Sequence, residues 1–272
     1  MDKSIHVLLN KGGWRARALN RLHDAHNFFS VGLKVSIDSL SSADHDDIEH
    51  IENLAINAFD FWPDGSGDPW SKSYELCQTA LSRYQQIGDQ IGVARILRIM
   101  AHHQPDQTSE LLRESLEICR AHNDRRGIAE TEFIIGKKST NPAEREEFLR
   151  RALTQAREIG ESSLVAQILT AMGTLLELNP EESDRVFSEA LAIEREAGPS
   201  ATLVQLLLTS VMFAFRSDAA TQREILIEAL SNSCDIGSSR FAGLCLHQLS
   251  QLQSRSGQES EAGSSVTNVF MK

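Results

Sequence analysis

Few cysteines, too little positive charge and no long apolar run say first what this chain does not do. Cys77, Cys119, Cys234 and Cys245 are widely scattered and show no C-x-x-C spacing, so the converging thiolates of a metal or redox centre are not expected. All four fall within apolar-periodic segments, where a free thiol packs as a small hydrophobe, and a reducing cytoplasm suits them. Lys and Arg number 27 against 38 Asp and Glu, a formal charge of −11. Phosphate backbones select concentrated positive charge, so nucleic acid is not an expected partner. The longest apolar segment, residues 203–215, is shorter than the about 20 residues a membrane span requires. The N-terminus offers only residues 5–9, interrupted by His6, so neither export nor membrane insertion is expected. Strand signals are nearly absent. No G-x-G-x-x-G, G-x-x-x-x-G-K-[ST], G-x-S-x-G or H-E-x-x-H is present, which leaves no visible catalytic apparatus and no expected cofactor.

What the chain does have is repetition. Its 272 residues are 41% hydrophobic, enough to bury a sizeable core. Gly88, Asn123, Gly160, Gly198 and Gly237 are separated by 35, 37, 38 and 39 residues, and the same residue types stand at fixed distances from each. Eleven before each anchor stand Cys77, Leu112, Leu149, Phe187 and Leu226, and twelve before it Leu76, Leu111, Phe148, Val186 and Ile225. Eight before it are Ala80, Ser115, Ala152, Ala190 and Ala229; seven before it, leucine in all five units. These offsets fall on one stripe of an α-helix, so each unit has a helix with one buried face and a small residue where a neighbouring backbone can approach. Outward positions such as Arg113 and Arg150 form a solvated face.

The anchor suits a helix C-terminal cap in the left-handed conformation. A second helix follows, with Ala94, Ala129, Ala166, Val204 and Gly243 six residues past the anchor. Leu97, Leu169, Leu207 and Leu246 lie nine past it, and the second unit departs from the pattern with Glu132. Pro105, Pro142 and Pro180 follow the second helices of the first three units and are expected to end them. Five helix-turn-helix units, each burying its stripe against the next, describe an all-α solenoid.

The strings "ALSRYQQIGDQIGVARILRIMA", "SLEICRAHNDRRGIAETEFIIG" and "ALTQAREIGESSLVAQILTAMG" resemble tetratricopeptide repeats, in the longer form of large bacterial LuxR-type activators and kinesin light chains. The resemblance spans roughly residues 73–253. It implies a right-handed α-solenoid of about five to six units whose second helices, in the order used above, line a concave groove. The family's mid-helix glycine is met only by Gly136 and Gly173, so the units are divergent. Carried onto this chain, the groove positions are Arg95, Arg98 and His102 in the first unit and Glu130, Phe133 and Lys137 in the second. Gln167, Thr170 and Thr174 follow in the third, then Gln205, Leu208 and Met212, and finally Leu244, His247 and Gln251.

The first part of that lining is basic on an acidic protein, which would draw an acidic peptide segment or a terminal carboxylate. The other reading is that Arg95 and Arg98 pair with neighbouring acids. The expected function is a non-catalytic adaptor that holds a peptide or protein segment in its groove, with reversal of Arg95 and Arg98 to Glu abolishing capture. The alternative is a regulatory domain that senses a small ligand or signalling peptide. The resemblance leaves the oligomeric state open.

Residues 1–72 do not fit the columns and read as a helical cap or a degenerate repeat. Within them, residues 14–29 and 43–61 both read as helices, and Trp62 and Trp70 are expected to pack as a lid over the first hairpin. Residues 255–272 are polar and expected to be a mobile tail. In "HDDIEH", His45, Asp46 and His50 offer metal-ligand types, a faint similarity to metal-dependent phosphohydrolases of the HD type that defines a third reading, a metal-dependent hydrolase. The competing explanation is a helix start, with Asp46 and Asp47 favourably placed against the dipole, and no metal site is assigned.

Overall fold

The computed structural model describes residues 3–18, 24–31, 45–58, 69–175, 179–213, 218–238 and 240–254. Among them there are thirteen α-helices and no strand. In chain order these are α1 (Lys3–Ala18), α2 (24–31), α3 (His45–Ala58), α4 (Pro69–Ile87), α5 (Gln90–Met100), α6 (Thr108–Ala121), α7 (Arg125–Lys138), α8 (Pro142–Ile159), α9 (Ser162–Leu175), α10 (Pro180–Ala197), α11 (Ala201–Phe213), α12 (Ala219–Asp235) and α13 (240–254). The chain divides into two compact units, Met1–Leu176 and Glu177–Lys272. In the first, every helix from α3 to α8 packs on its successor, and α7 also touches α5 and α9. In the second, α10 packs on α11 and α11 on α12. The protein is thus built of consecutive helix pairs.

The repeated columns are the reason. All five anchors adopt positive φ: Gly88 at 76°, Asn123 at 53°, Gly160 at 75°, Gly198 at 94° and Gly237 at 68°. Asn123 carries this conformation with a side chain, which asparagine tolerates better than most residues. The small residue eight before each anchor is completely buried in all five cases, and the residue eleven before it is also buried. A hydroxyl in the small column is not idle: Ser115 donates to the carbonyl of Ala94 at 2.9 Å, tying α6 to α5. Side chains ahead of the helices supply the missing partners of the first-turn amides. Asp89 accepts from the Gly92 amide and Asp124 from that of Gly127, both at 2.9 Å. Asn179 accepts from Glu182 at 2.8 Å. Pro142 and Pro180 are the first residues of α8 and α10, so they open the following helix, where a missing N–H costs nothing. Pro105 opens a short 3-10 turn before α6.

Five expectations need correction or fall outside the described residues. Residues 14–29 are not one helix. Trp14 lies on α1 and Phe29 on α2, with ring centroids 5.8 Å apart, where a single helix would separate them by about 22 Å. The two helices pack together because Gly12 and Gly13 leave room for the rings of Phe28 and Phe29. Cys77, Cys119 and Cys245 are buried as expected of small hydrophobes, but Cys234, at the exposed flank of α12, is not. Trp62, the side chain of Trp70 and residues 255–272 lie outside the described residues. So do the side chains of His45, Asp46 and His50, although their backbone begins α3.

Candidate functional site

The alternate helices α5, α7 and α9 line one side of a pocket of about 540 Å³ within the first unit. Trp14 from α1, with Glu52 and Ile56 from α3, lines it as well. Its apolar surface comes from Ile56, Ile99, Phe133, Ile134 and Leu164. A second hollow of about 550 Å³ shares Trp14, Glu52, Arg95, Arg98, Arg126 and Glu130 with it and extends toward Asp124 and Ile91. The two form one elongated depression.

Charged pairs cross it. Arg95 reaches across to α3, where its Nε and Nη2 donate to the two oxygens of Glu52, each at 3.2 Å. Tyr84 completes this cluster by donating to Glu52 at 2.8 Å and accepting from Arg95 at 3.0 Å. Burial, together with the Glu52 carboxylate, holds the Tyr84 hydroxyl well above its ordinary pKa. Arg98 is buried and donates to Glu130 at 2.7 Å. Arg126 holds the other oxygen of Glu130 at 2.9 Å and also pairs with Glu161 at 3.3 Å. These contacts assign Arg95 and Arg98 to neighbouring acids, the second of the two readings drawn from the sequence. Reversal of Arg98 would bring two carboxylates together in the interior, so that pair of substitutions would test the fold before it tested the pocket.

Lys137 differs. Its ammonium lies over the Phe133 ring, 5.3 Å from the centroid, and has no acidic partner among the described residues. Partial desolvation against the pocket wall and then the charge of Lys138 lower its pKa, although the side chain still reaches solvent. His102, nearby, is held down at about 4, by burial first and then by Lys138, Lys137 and His103. It is therefore neutral at pH 7. The pocket thus combines an apolar floor, a belt of internally matched ion pairs and a cationic corner at the ends of α5 and α7.

Seven of the residues assigned to the groove line this pocket: Arg95, Arg98, His102, Glu130, Phe133, Lys137 and Gln167. Thr170 and Thr174 lie further along α9, with their hydroxyls donating to carbonyls one turn back at 2.7 and 3.0 Å. Gln205, Leu208 and Met212 on α11 and Leu244, His247 and Gln251 on α13 belong to the second unit, where Gln251 and His247 lie 3.0 Å apart. Missing from the assignment were Arg126, Ser163 and Ile91. All three stand three residues past an anchor, one turn ahead of the columns used, and extending the stripe by that turn would have found them. Trp14, Glu52 and Ile56 have no such signal, since they come from outside the repeated columns.

No described group of three His, Cys, Asp or Glu side chains could hold a metal ion, and no helix among the described residues is long and apolar enough to cross a membrane. No protein-family model matches the chain, and no curated protein is significantly similar to it.

Proposed function

We propose that the protein is a non-catalytic interaction module, a divergent tetratricopeptide-like solenoid that holds a segment of another protein against α5, α7 and α9. The observation that carries this reading is the pocket itself: three alternate helices and Trp14 enclose an apolar floor whose charges, Lys137 apart, are already matched. Such a surface favours an apolar anchor side chain, with an acidic group directed to Lys137, over a multiply charged ligand. An intracellular setting fits the buried thiols.

The test uses positions whose side chains are exposed, so that the fold is left intact. Lys137→Glu combined with Gln167→Trp should abolish capture of partners from the native cell while helical content stays unchanged, and the outward control Arg113→Glu should retain it. Retained capture by the double variant would contradict the assignment. A second reading, a ligand-sensing regulatory domain, is favoured by the volume: about 540 Å³ lies within the range of roughly 300–1,000 Å³ typical of small-molecule sites. Native mass spectrometry separates the two, because only the sensor reading predicts a small molecule that co-purifies and is lost from the same double variant.

A further inference from the structure

The cationic corner of the pocket gathers bases from two helix ends. His102 and His103 lie in the turn that ends α5, and Lys137 and Lys138 are the last two residues of α7. His102 and Lys137 both line the pocket. Elsewhere in its wall the arginines are held by Glu52, Glu130 and Glu161, but Lys137 and Lys138 make no ion pair with a described residue.

Cations at a helix C-terminus complement its dipole, so these positions alone assign nothing. The surroundings of His102 add more. Of the helices packed against α5, α4 faces this turn with Ser73, whose hydroxyl lies 2.9 Å from Nε2 of His103, and with the Tyr74 ring. From α6 comes the Thr108 hydroxyl, which donates to the carbonyls of Ala101 and Gln104 at 3.0 and 2.9 Å. From α7 come the two lysines. The charged and titratable groups among the described residues that act on His102 are thus Lys138, Lys137 and His103, all of them bases.

We propose that the acidic group of a partner enters this corner together with a proton on His102, so that capture tightens as the pH falls. The inference rests on the reading of the pocket given above and adds its regulation. Burial, then Lys138 and Lys137, hold the imidazole neutral with a pKa of about 4. An anion beside Lys137 and His102 offsets the repulsion from both lysines and gives the imidazolium a partner, which moves that value back toward the ordinary 6.5. A group whose pKa is higher in the complex than in the free protein takes up a proton on binding, and affinity then rises as pH falls through the higher value. Full recovery of 6.5 would tighten binding about tenfold from about pH 7.5 to about pH 5.5.

Fluorescence titration of the full chain with anilinonaphthalene sulfonate tests this, because the probe joins an apolar body to a sulfonate that stays ionised at both pH values. N-phenylnaphthylamine, the same ring system without the sulfonate, is the control. The sulfonate is expected to bind about tenfold tighter at the lower pH, with a ratio near one for the uncharged amine. His102→Gln should bring the sulfonate's ratio to about one, and Lys137→Gln should weaken the sulfonate more than the amine at both pH values. Gln167→Trp should displace both probes from the pocket. A ratio near one in the wild-type chain, a ratio that survives His102→Gln, or sulfonate binding indifferent to Lys137→Gln or to Gln167→Trp overturns the proposal. The reading of the pocket as a partner site fails separately, when capture of partners survives Lys137→Glu with Gln167→Trp.

Discussion

Glu132 shows how a single residue departs from a repeat without breaking it. It stands where Leu97, Leu169 and Leu207 stand in other units, is completely buried, and is held by Arg120 at 3.4 Å, by Arg151, and by Gln155 at 2.6 Å. Both arginines are about half-exposed and can be hydrated if the carboxylate is lost, whereas the carboxylate cannot be hydrated if they are lost. Glu132→Leu should therefore be neutral or stabilising. Arg151→Leu should cost on the order of 3 kcal/mol, because it strips a buried charge of a partner. Urea denaturation of both variants checks the order, and an equal loss in the two would contradict it. His102 gives a second residue-scale prediction. Its pKa of about 4 in the folded chain lies below the ordinary 6.5, so between these values the unfolded chain binds more protons. Stability is then retained above about pH 6.5 and falls as pH drops toward 4. His102→Gln should flatten that part of the pH–stability curve, and a profile identical to wild type would show that the histidine is not its source.

At the scale of the element, the turns carry the specification. Asn123 is the one anchor that is not glycine, and it holds φ of 53°. Asn123→Ala should destabilise by about 1 kcal/mol and Asn123→Gly should not, since only glycine is free of the left-handed penalty. Thermal melts of the two variants decide it. These elements were legible in the sequence because five units state the same columns, so a small residue at Ser115 or a cap at Asn123 is read against four companions. The packing of α2 on α1 was not legible, having no repeat to be compared with and depending on aromatic rings seated against Gly12 and Gly13. Nor was the Glu52–Arg95 pair, because its members are 43 residues apart and no local period connects them. Arg126 was within reach, one turn ahead of the columns that were used.

At the scale of the molecule, chain order becomes spatial order: successive helices pack in pairs, and alternate ones in the first unit bring α5, α7 and α9 to a common pocket. Charged residues that look like ligand contacts in the sequence are largely consumed in joining those helices, which moves the expected recognition onto the apolar floor and Lys137. The central claim is that a partner lies in this pocket. Photo-crosslinking tests it most directly, with a photoreactive residue placed in turn at Lys137 and Gln167 in the pocket and at Arg113 and Arg150 on the outward face. Partner adducts from the first pair and none from the second are the predicted result; adducts from the outward pair alone would contradict the account.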